Sequence, residues 1–149
     1  MEIVFKEATT SDIRLLIPLV EAFYSLEKIS FDEKMIETAL GQLLTHDQYG
    51  RAWLIYEGEH LIGYVILTFG FCLEFGGRDA FIDEIYLVES ARNRGFGKKI
   101  IDFLADYGRN TGIKVILLEV DHENMAAREV YRKRGFIPRE KYFLMTRYL

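Results

Sequence analysis

The sequence predicts a mixed α/β fold with a largely antiparallel sheet. Segments rich in β-branched and aromatic residues alternate with segments whose apolar residues recur at helical spacing. Two of the strand-like segments, 52–56 and 61–71, flank a short turn at 57–60, as in a β-hairpin. Half of the 149 residues are hydrophobic, so we expect one domain over residues 1–149 with a substantial core.

The first half of the chain begins with a predicted strand at 2–8, followed by two helices. The sequence Thr9-Thr10-Ser11-Asp12 is typical of a helix N-cap, and the helix after it is expected to run to about Lys28. Pro18 lies inside this helix and predicts a kink or a broken start. The second helix is predicted over 31–44 from the apolar residues on one of its faces.

The second half of the chain contains three further predicted strands, at 81–88, 113–120 and 142–148. A loop over 71–78, which includes the pair Gly76-Gly77, is expected to precede the first of them. A helix that begins in a glycine-rich turn separates the first strand from the second, and another helix separates the second from the third.

The segment Arg92–Lys99 is the most informative of the chain, because it joins a strand to a helix through two glycines. Such a junction binds anions, since unpaired backbone N–H groups and the positive end of the helix dipole converge there. Gly95 and Gly97 permit positive φ and a close approach of phosphate to the main chain. Four cations flank the turn: Arg92, Arg94, Lys98 and Lys99. The expected ligand is a phosphate-bearing cofactor.

Two common phosphate-binding motifs do not fit this segment. A P-loop needs a glycine five positions before its Gly-Lys pair and a hydroxyl residue after it, and this chain has Arg92 and Lys99 there. A dinucleotide fingerprint needs a third glycine where Ile100 stands.

A second motif follows the predicted strand at 113–120. Asn124 and Tyr131 are seven residues apart, which is two helical turns, so they are expected on one helix face. Gly135 fits the C-cap of that helix, and Phe136 is expected to start the last strand.

The two motifs together, Arg92-x-x-Gly95-x-Gly97 and then Asn124…Ala127…Tyr131…Gly135-Phe136, resemble the GCN5-related N-acetyltransferase (GNAT) superfamily. The resemblance is close over about 80–137, and the segment 81–97 is most similar to small diamine-acetyltransferase-like members. It implies an acyl-CoA N-acyltransferase fold, in which helices flank a predominantly antiparallel sheet with splayed central parallel strands. It also implies transfer of an acetyl group from acetyl-CoA to an amine, within a ternary complex.

The resemblance also implies where acetyl-CoA binds. The pantetheine arm is expected between the strands at 81–88 and 113–120, where Asn124 hydrogen-bonds it. Backbone N–H groups near Ile85, Tyr86 and Leu87 are expected to hold the arm and polarise the acetyl carbonyl. The residues expected around the pyrophosphate are Arg92, Asn93, Arg94, Gly95, Phe96, Gly97 and Lys98.

Tyr131 is the expected general acid of the reaction and a neighbour of the cofactor. A phenol has a pKa near 10 and a free thiol a pKa near 8.5, so a tyrosine beside the sulfur can protonate the departing thiolate.

The residue that deprotonates the acceptor is expected to be Asp83 or Glu84. An alkylamine with a pKa of about 10.4 is an ammonium at neutral pH and needs a base before it attacks. Neighbouring side chains on a strand point to opposite faces, so only one of the two carboxylates is expected to face the acceptor. Asp83 holds the position that matches the family, and Glu84 has the longer reach. His122 and Glu74 are the less favoured candidates for this base.

Charge is divided unevenly along the chain, although the net charge is only −4. Residues 1–91 carry 6 basic and 16 acidic side chains, and residues 92–149 carry 13 basic and 7 acidic ones. A basic half suits polyanionic coenzyme A, and an acidic half suits a cationic acceptor. Two differently solvated faces without a ligand role explain the division equally well.

Several other classes of site and partner are not expected. The three histidines lack metal-ligand spacing, so no metal is expected. Arg132-Lys133-Arg134 suits a helix C-terminus better than a nucleic acid at a pI near 5.4. No apolar run approaches the ~20 residues that span a bilayer. The single Cys72 and the absence of a signal-like start favour the cytoplasm.

Three functions stay open at this stage. The favoured one is an N-acetyltransferase for a small cationic acceptor, such as a polyamine-like or aryl-alkyl amine. The others are an acetyltransferase for protein or peptide lysines or N-termini, and a non-catalytic acyl-CoA sensor. Tyr131 and the acidic pair at 83–84 favour catalysis, because a sensor needs only the cofactor site. Family members often pair, so a homodimer is expected.

Overall fold

The computed structural model describes residues 2–149 and contains five strands and four α-helices. The strands are β1 (Val4–Glu7), β2 (Gly50–Glu57), β3 (His60–Cys72), β4 (Gly77–Leu87) and β5 (Val115–Leu118). The helices are α1 (Ile13–Glu27), α2 (Glu33–Thr45), α3 (Phe96–Asn110) and α4 (Met125–Lys133). Short 3₁₀ turns, Thr10–Asp12 and Glu89–Ala91, come before α1 and after β4. Within the described residues, no helix is both long and apolar enough to cross a membrane.

The strands form one sheet in the order β1-β2-β3-β4-β5. All neighbouring pairs are antiparallel except β4 and β5, which run parallel. The predicted mixed α/β fold with a largely antiparallel sheet is therefore confirmed, as is the hairpin at 57–60. The parallel pair lies at one margin of this sheet, with β5 outermost.

Two apolar clusters fill the two faces of the sheet. On one face, α1 and α2 bury Leu16, Val20, Ile36 and Leu40 against β2 and β3. On the other face, α3 buries a second set of apolar side chains, among them Phe96, Ile100 and Leu104. Because β-strand side chains alternate between faces, the three inner strands β2, β3 and β4 contribute to both clusters.

The start of the first helix differs from its prediction. Residues 10–12 form a 3₁₀ turn, and the Asp12 carboxylate accepts hydrogen bonds from the Thr9 backbone N–H at 2.9 Å and from Lys6 Nζ at 3.1 Å. These two donors hold the pKa of Asp12 below its ordinary value. Helix α1 then continues through Pro18 without a break.

The predicted loop over 71–78 is much shorter in the structure. Strand β3 continues to Cys72 and β4 begins at Gly77, because Phe71 pairs with Arg78 and Cys72 pairs with Gly77. The Arg78 guanidinium also lies 4.9 Å from the centre of the Phe69 ring. Only residues 73–76 remain as a turn.

The predicted closing strand at 142–148 is wrong for this structure, which contains no strand after α4 within the described residues. Arg139 forms an ion pair with Glu74 at 3.0 Å, and its guanidinium lies over the rings of Phe75 and Tyr142. These contacts hold the chain at the tip of the β3–β4 hairpin, so the segment beyond does not lie along β5. We call residues 142–149 the C-terminal segment.

Candidate active site

A β-bulge in strand β4 places Asp83 and Glu84 on the same side of the sheet. Ile66 pairs with Glu84, whereas its neighbour Leu67 pairs with Ile82, so Asp83 is an extra residue without a partner on β3. Both carboxylates line the same pocket beside α1 and α2. The expectation that the two side chains point to opposite faces is therefore wrong, since it assumed an unbroken strand.

Two phenols hold the Glu84 carboxylate. Tyr24 Oη donates a hydrogen bond to Glu84 Oε2 at 2.7 Å, and Tyr64 Oη donates one to Glu84 Oε1 at 2.7 Å. Tyr64 is fully buried in the sheet face under α1. Each oxygen of Glu84 thus has a donor, and the side chain is fixed from the helix and from the sheet.

The two carboxylates differ in how their charge is stabilised. Burial raises the pKa of Glu84, while the hydrogen bonds from the two phenols act in the opposite direction. Asp83 is an exposed residue, and the neighbouring pocket walls desolvate its carboxylate enough to raise its pKa. No side chain among residues 2–149 donates a hydrogen bond to Asp83, so its oxygens face the pocket without a protein donor.

The pocket between α1, α2 and the sheet has a volume of about 260 Å³. Its walls include the aliphatic side chains of Val20, Ile36 and Leu40. Asp83 and Glu84 are its only charged lining residues within the described part of the chain. A concave, mainly apolar site with a few convergent polar groups is typical of a small-molecule site.

The C-terminal end of strand β4 extends beyond its parallel partner β5. The parallel pairing with β5 runs from Asp79 with Val115 to Ile82 with Leu118 and then stops. The residues expected to hold the pantetheine arm, Ile85, Tyr86 and Leu87, come after this point. In the part of the chain that the structure describes, this edge of β4 has no strand partner, so its backbone N–H groups are available to a ligand.

The glycine turn has the backbone geometry that an anion site needs. Gly95 is the N-cap of α3 with φ 81°, and Asn93 also adopts positive φ, at 59°. A Cβ added at Gly95 would meet no atom within 4 Å, so space is open above this turn. Gly97 lies inside α3 and does not adopt positive φ. The first N–H groups of α3 therefore point out of an open turn.

Arg92 and Arg94, which flank this turn, each bind a group of the protein. Arg92 Nε donates to the Leu87 carbonyl oxygen at 2.9 Å. Arg94 forms a two-pronged ion pair with Glu57, at 2.9 and 2.6 Å. This contact lowers the pKa of Glu57. In this structure both arginines brace the turn, and Lys98 is exposed beside it.

Helix α4 brings the second motif close to the start of α3. A Cβ at Gly97 would lie 4.0 Å from Val130 Cγ1, and the neighbouring Tyr131 packs its ring against Phe136 at 5.7 Å. Burial raises the pKa of Tyr131, so its hydroxyl stays protonated at neutral pH. Asn124 is the N-cap of α4, where its Oδ1 accepts the Ala127 N–H at 3.1 Å.

The comparison with known proteins agrees with this arrangement. The model of the acetyltransferase (GNAT) family matches residues 17–136. The chain belongs to the GNAT family. This GNAT chain is 25% identical over 132 residues to the uncharacterized N-acetyltransferase YhfO of Bacillus subtilis, covering 88% of the chain and 87% of the relative.

Other relatives have more specific descriptions. The chain is 24% identical over 146 residues to the thialysine N-epsilon-acetyltransferase of Bos taurus, and the match covers 89% of this chain and 83% of the relative. A crystal structure of a predicted acetyltransferase with acetyl-CoA from Clostridium acetobutylicum superposes with a TM-score of 0.81 at 20% identity, covering 97% and 96% of the two chains. The protein is thus an N-acetyltransferase of the GNAT type.

Sequence reasoning missed Tyr64 as a partner of Glu84. The sequence pattern also gives no sign that Tyr24 binds the same carboxylate. The feature that could have predicted the contact between Tyr64 and Glu84 is the strand pairing, in which Tyr64 lies opposite Tyr86, two residues beyond Glu84. That register is visible only once the hairpins have been assembled.

Proposed function

We propose that the protein acetylates a small cationic primary amine by direct attack within a ternary complex, with Asp83 and Glu84 receiving the ammonium. The main support is that both carboxylates line one pocket. They lie on β4, whose following residues 85–87 have no partner on the β5 side. Two negative charges in a partly desolvated site attract a cation strongly.

The open glycine turn and the unpaired edge of β4 fit acetyl-CoA. Gly95 leaves room for phosphate, and the N–H groups of Phe96, Gly97 and Lys98 begin α3. We propose that these groups, with Asn93, hold the pyrophosphate and that residues 85–87 hold the pantetheine arm with the Asn124 amide. Acetyl-CoA supplies an activated acyl group as a thioester, whose sulfur departs with a negative charge.

Asp83 is our candidate for the group that removes the proton from the ammonium. Its oxygens have no donor within residues 2–149, whereas both oxygens of Glu84 accept a phenol hydrogen bond. A raised pKa also brings a carboxylate closer to the operating pH, which favours general-base catalysis. Glu84 then acts as the fixed charge that, with Asp83, holds the acceptor.

Tyr131 is our candidate for the general acid. Its pKa is raised by burial, so the proton is present at neutral pH. As the C–N bond forms and the C–S bond breaks, the Tyr131 hydroxyl gives its proton to the departing sulfur. Desolvation also makes the resulting phenolate short-lived, because the charged form is disfavoured there.

The class of acceptor follows from the charge and size of the pocket. Polyamine-like and aryl-alkyl amines both carry the ammonium that two carboxylates attract. The relative from Bos taurus is named for thialysine, which is also a small amine. A pocket of about 260 Å³ between two helices suits such a molecule better than a protein lysine.

We also propose that the protein is a cytoplasmic homodimer that pairs through its C-terminal segment. Phe143, Met145 and Tyr148 are 85%, 86% and 93% exposed. Strand β5 has no partner on its outer side within the described residues. Exposed apolar side chains with strand-like composition, in a fold whose outermost strand has an open edge, favour pairing with a second copy.

The test of this function is the release of free thiol from acetyl-CoA with a panel of amines, amino acids and lysine peptides. We expect release that depends on a small primary amine, together with a mass increase of one acetyl group in that amine. Tight binding of acetyl-CoA without release for any acceptor would favour a sensor instead. Release only with peptides would favour the protein-directed alternative.

A further inference from the structure

The walls of the acceptor pocket are apolar over most of their extent. Val20, Ile36, Leu40 and Ile66 line it and are each less than 10% exposed, and Ala39 and Leu43 continue the same surface on α2. The polar lining groups other than the two carboxylates are uncharged: Tyr24, Gln42, Tyr49 and Thr68.

Negative charge is confined to one site in this pocket. Asp83 and Glu84 are adjacent on the bulge of β4, so both of their charges lie together. An ammonium bound there finds its counter-charges. A second ammonium farther along the same molecule would lose hydration against aliphatic walls without a counter-charge, which is unfavourable.

We propose that the acceptor is a primary monoamine on an apolar stem, an alkylamine or aryl-alkylamine, with its ammonium at Asp83 and Glu84 and its stem along the wall that Ile36, Ala39 and Leu43 form on α2. This inference rests on the proposed amine acetyltransferase function. It narrows the acceptor away from diamines and polyamines. Each methylene that is buried along the wall strengthens binding, since apolar surface leaves water.

The test compares hexylamine with 1,6-diaminohexane, two acceptors that differ only in a second amine at the far end. We expect kcat/KM for hexylamine to exceed that for the diamine by about tenfold or more. An equal or higher value for the diamine would overturn the inference, while acetylation of either one would still support the amine acetyltransferase. Release of thiol only with amino acids or peptides would also overturn it. No release with any acceptor would remove both the inference and the proposed function.

A variant tests the same point from the protein side. Ala39 is an exposed lining residue on α2, so Ala39→Glu adds a negative charge at the pocket with little risk to folding. We expect it to shift the ratio of the two kcat/KM values toward 1,6-diaminohexane by about tenfold. Thr38→Glu, on the same helix but outside the pocket lining, is the matched control and should leave the ratio unchanged. An equal shift in both variants would show a general charge effect and contradict the inference.

Discussion

Asp83 and Glu84 are consecutive in the chain, yet both face the pocket under α1 and α2, because Asp83 is the extra residue of a β-bulge. Glu84 is tied to two phenols, while Asp83 receives no hydrogen bond from the described residues. The pair thus combines one fixed carboxylate with one that is available to a ligand. This difference underlies the roles that we propose for them.

Replacement of Asp83 by Asn should stabilise the protein at neutral pH. The pKa of Asp83 is raised above its ordinary value of 3.8, so the folded state binds the proton more tightly than the unfolded state. The free energy of unfolding therefore falls as the pH rises from the ordinary pKa through the raised one. Asp83→Asn removes this loss. The Tm of the variant should therefore exceed that of the parent protein at neutral pH, and the difference should be absent near pH 3.5, about 0.3 units below the ordinary pKa.

Thermal unfolding of both proteins across this pH range provides the measurement. Glu37 of α2, which is exposed and takes part in no ion pair within the described residues, gives the control in Glu37→Gln. A variant at position 83 that loses stability at neutral pH would show that the Asp83 carboxylate has a stabilising partner.

Removal of the Tyr64 hydroxyl should raise the pKa of Glu84. The phenol hydrogen bond favours the ionised carboxylate and so counteracts the effect of burial on the pKa of Glu84. Tyr64→Phe removes one of the two phenol hydrogen bonds that do this. Glu84 then becomes protonated at a higher pH and the pair loses a charge. We expect the acidic limb of the kcat/KM profile to move to higher pH. Tyr56→Phe, which changes a tyrosine of β2, should leave the profile in place.

Gly95→Ala should weaken the binding of acetyl-CoA. Gly95 has φ 81°, which costs a residue with a Cβ about 1–2 kcal/mol. The strain displaces the N–H groups that begin α3, so KM for acetyl-CoA should rise. Gly112→Ala is a close control, because Gly112 has φ 77° and equally open space after the other end of α3. It should lower Tm alone, and an equal rise of KM in both variants would count against the anion site.

Tyr131→Phe should lower kcat by about 100-fold if the tyrosine protonates the departing sulfur. The affinity for acetyl-CoA, measured by calorimetry, should change little because the ring remains. Tyr148→Phe alters a tyrosine that is 93% exposed and should keep full activity. Unchanged kcat in Tyr131→Phe would assign proton donation to another group.

Deletion of residues 142–149 should convert a dimer into a monomer. The deleted segment contains the exposed apolar side chains that we propose to pair with a second copy. Light scattering after size-exclusion chromatography measures the mass of each form. A monomeric full-length chain would contradict this pairing and would point to the segment lying along its own β5.

The parts of the fold that were predictable depend on local patterns. Gly135 was expected to end a helix, and it adopts φ 90° after α4 with the Phe136 N–H bonded to the Tyr131 carbonyl oxygen. The turn at Gly95 was also identified correctly, because a strand, a positive-φ glycine and a helix start follow one another in the chain.

The parts that were missed depend on contacts between distant segments. The bulge at Asp83 exists because of the pairing with Ile66 and Leu67, and the sequence of β4 alone does not specify it. The ion pair between Arg94 and Glu57 joins the glycine turn to another hairpin, and the sequence around Arg94 does not specify that partner. The C-terminal segment has strand-like residues, but it pairs with no strand in the structure, since its contacts near Glu74 involve Arg139 and Tyr142 rather than β5.

Steady-state thiol release in the double variant Asp83→Asn/Glu84→Gln, at saturating acetyl-CoA, tests most directly whether these carboxylates form the acceptor site. We expect kcat/KM for the amine to fall about 100-fold or more, because the acceptor loses both its counter-charge and its base. Calorimetry should show acetyl-CoA affinity within about twofold of the parent protein, since the glycine turn and the β4 edge are unchanged. Parent-like turnover in the double variant would contradict the assignment of the acceptor site to these two carboxylates.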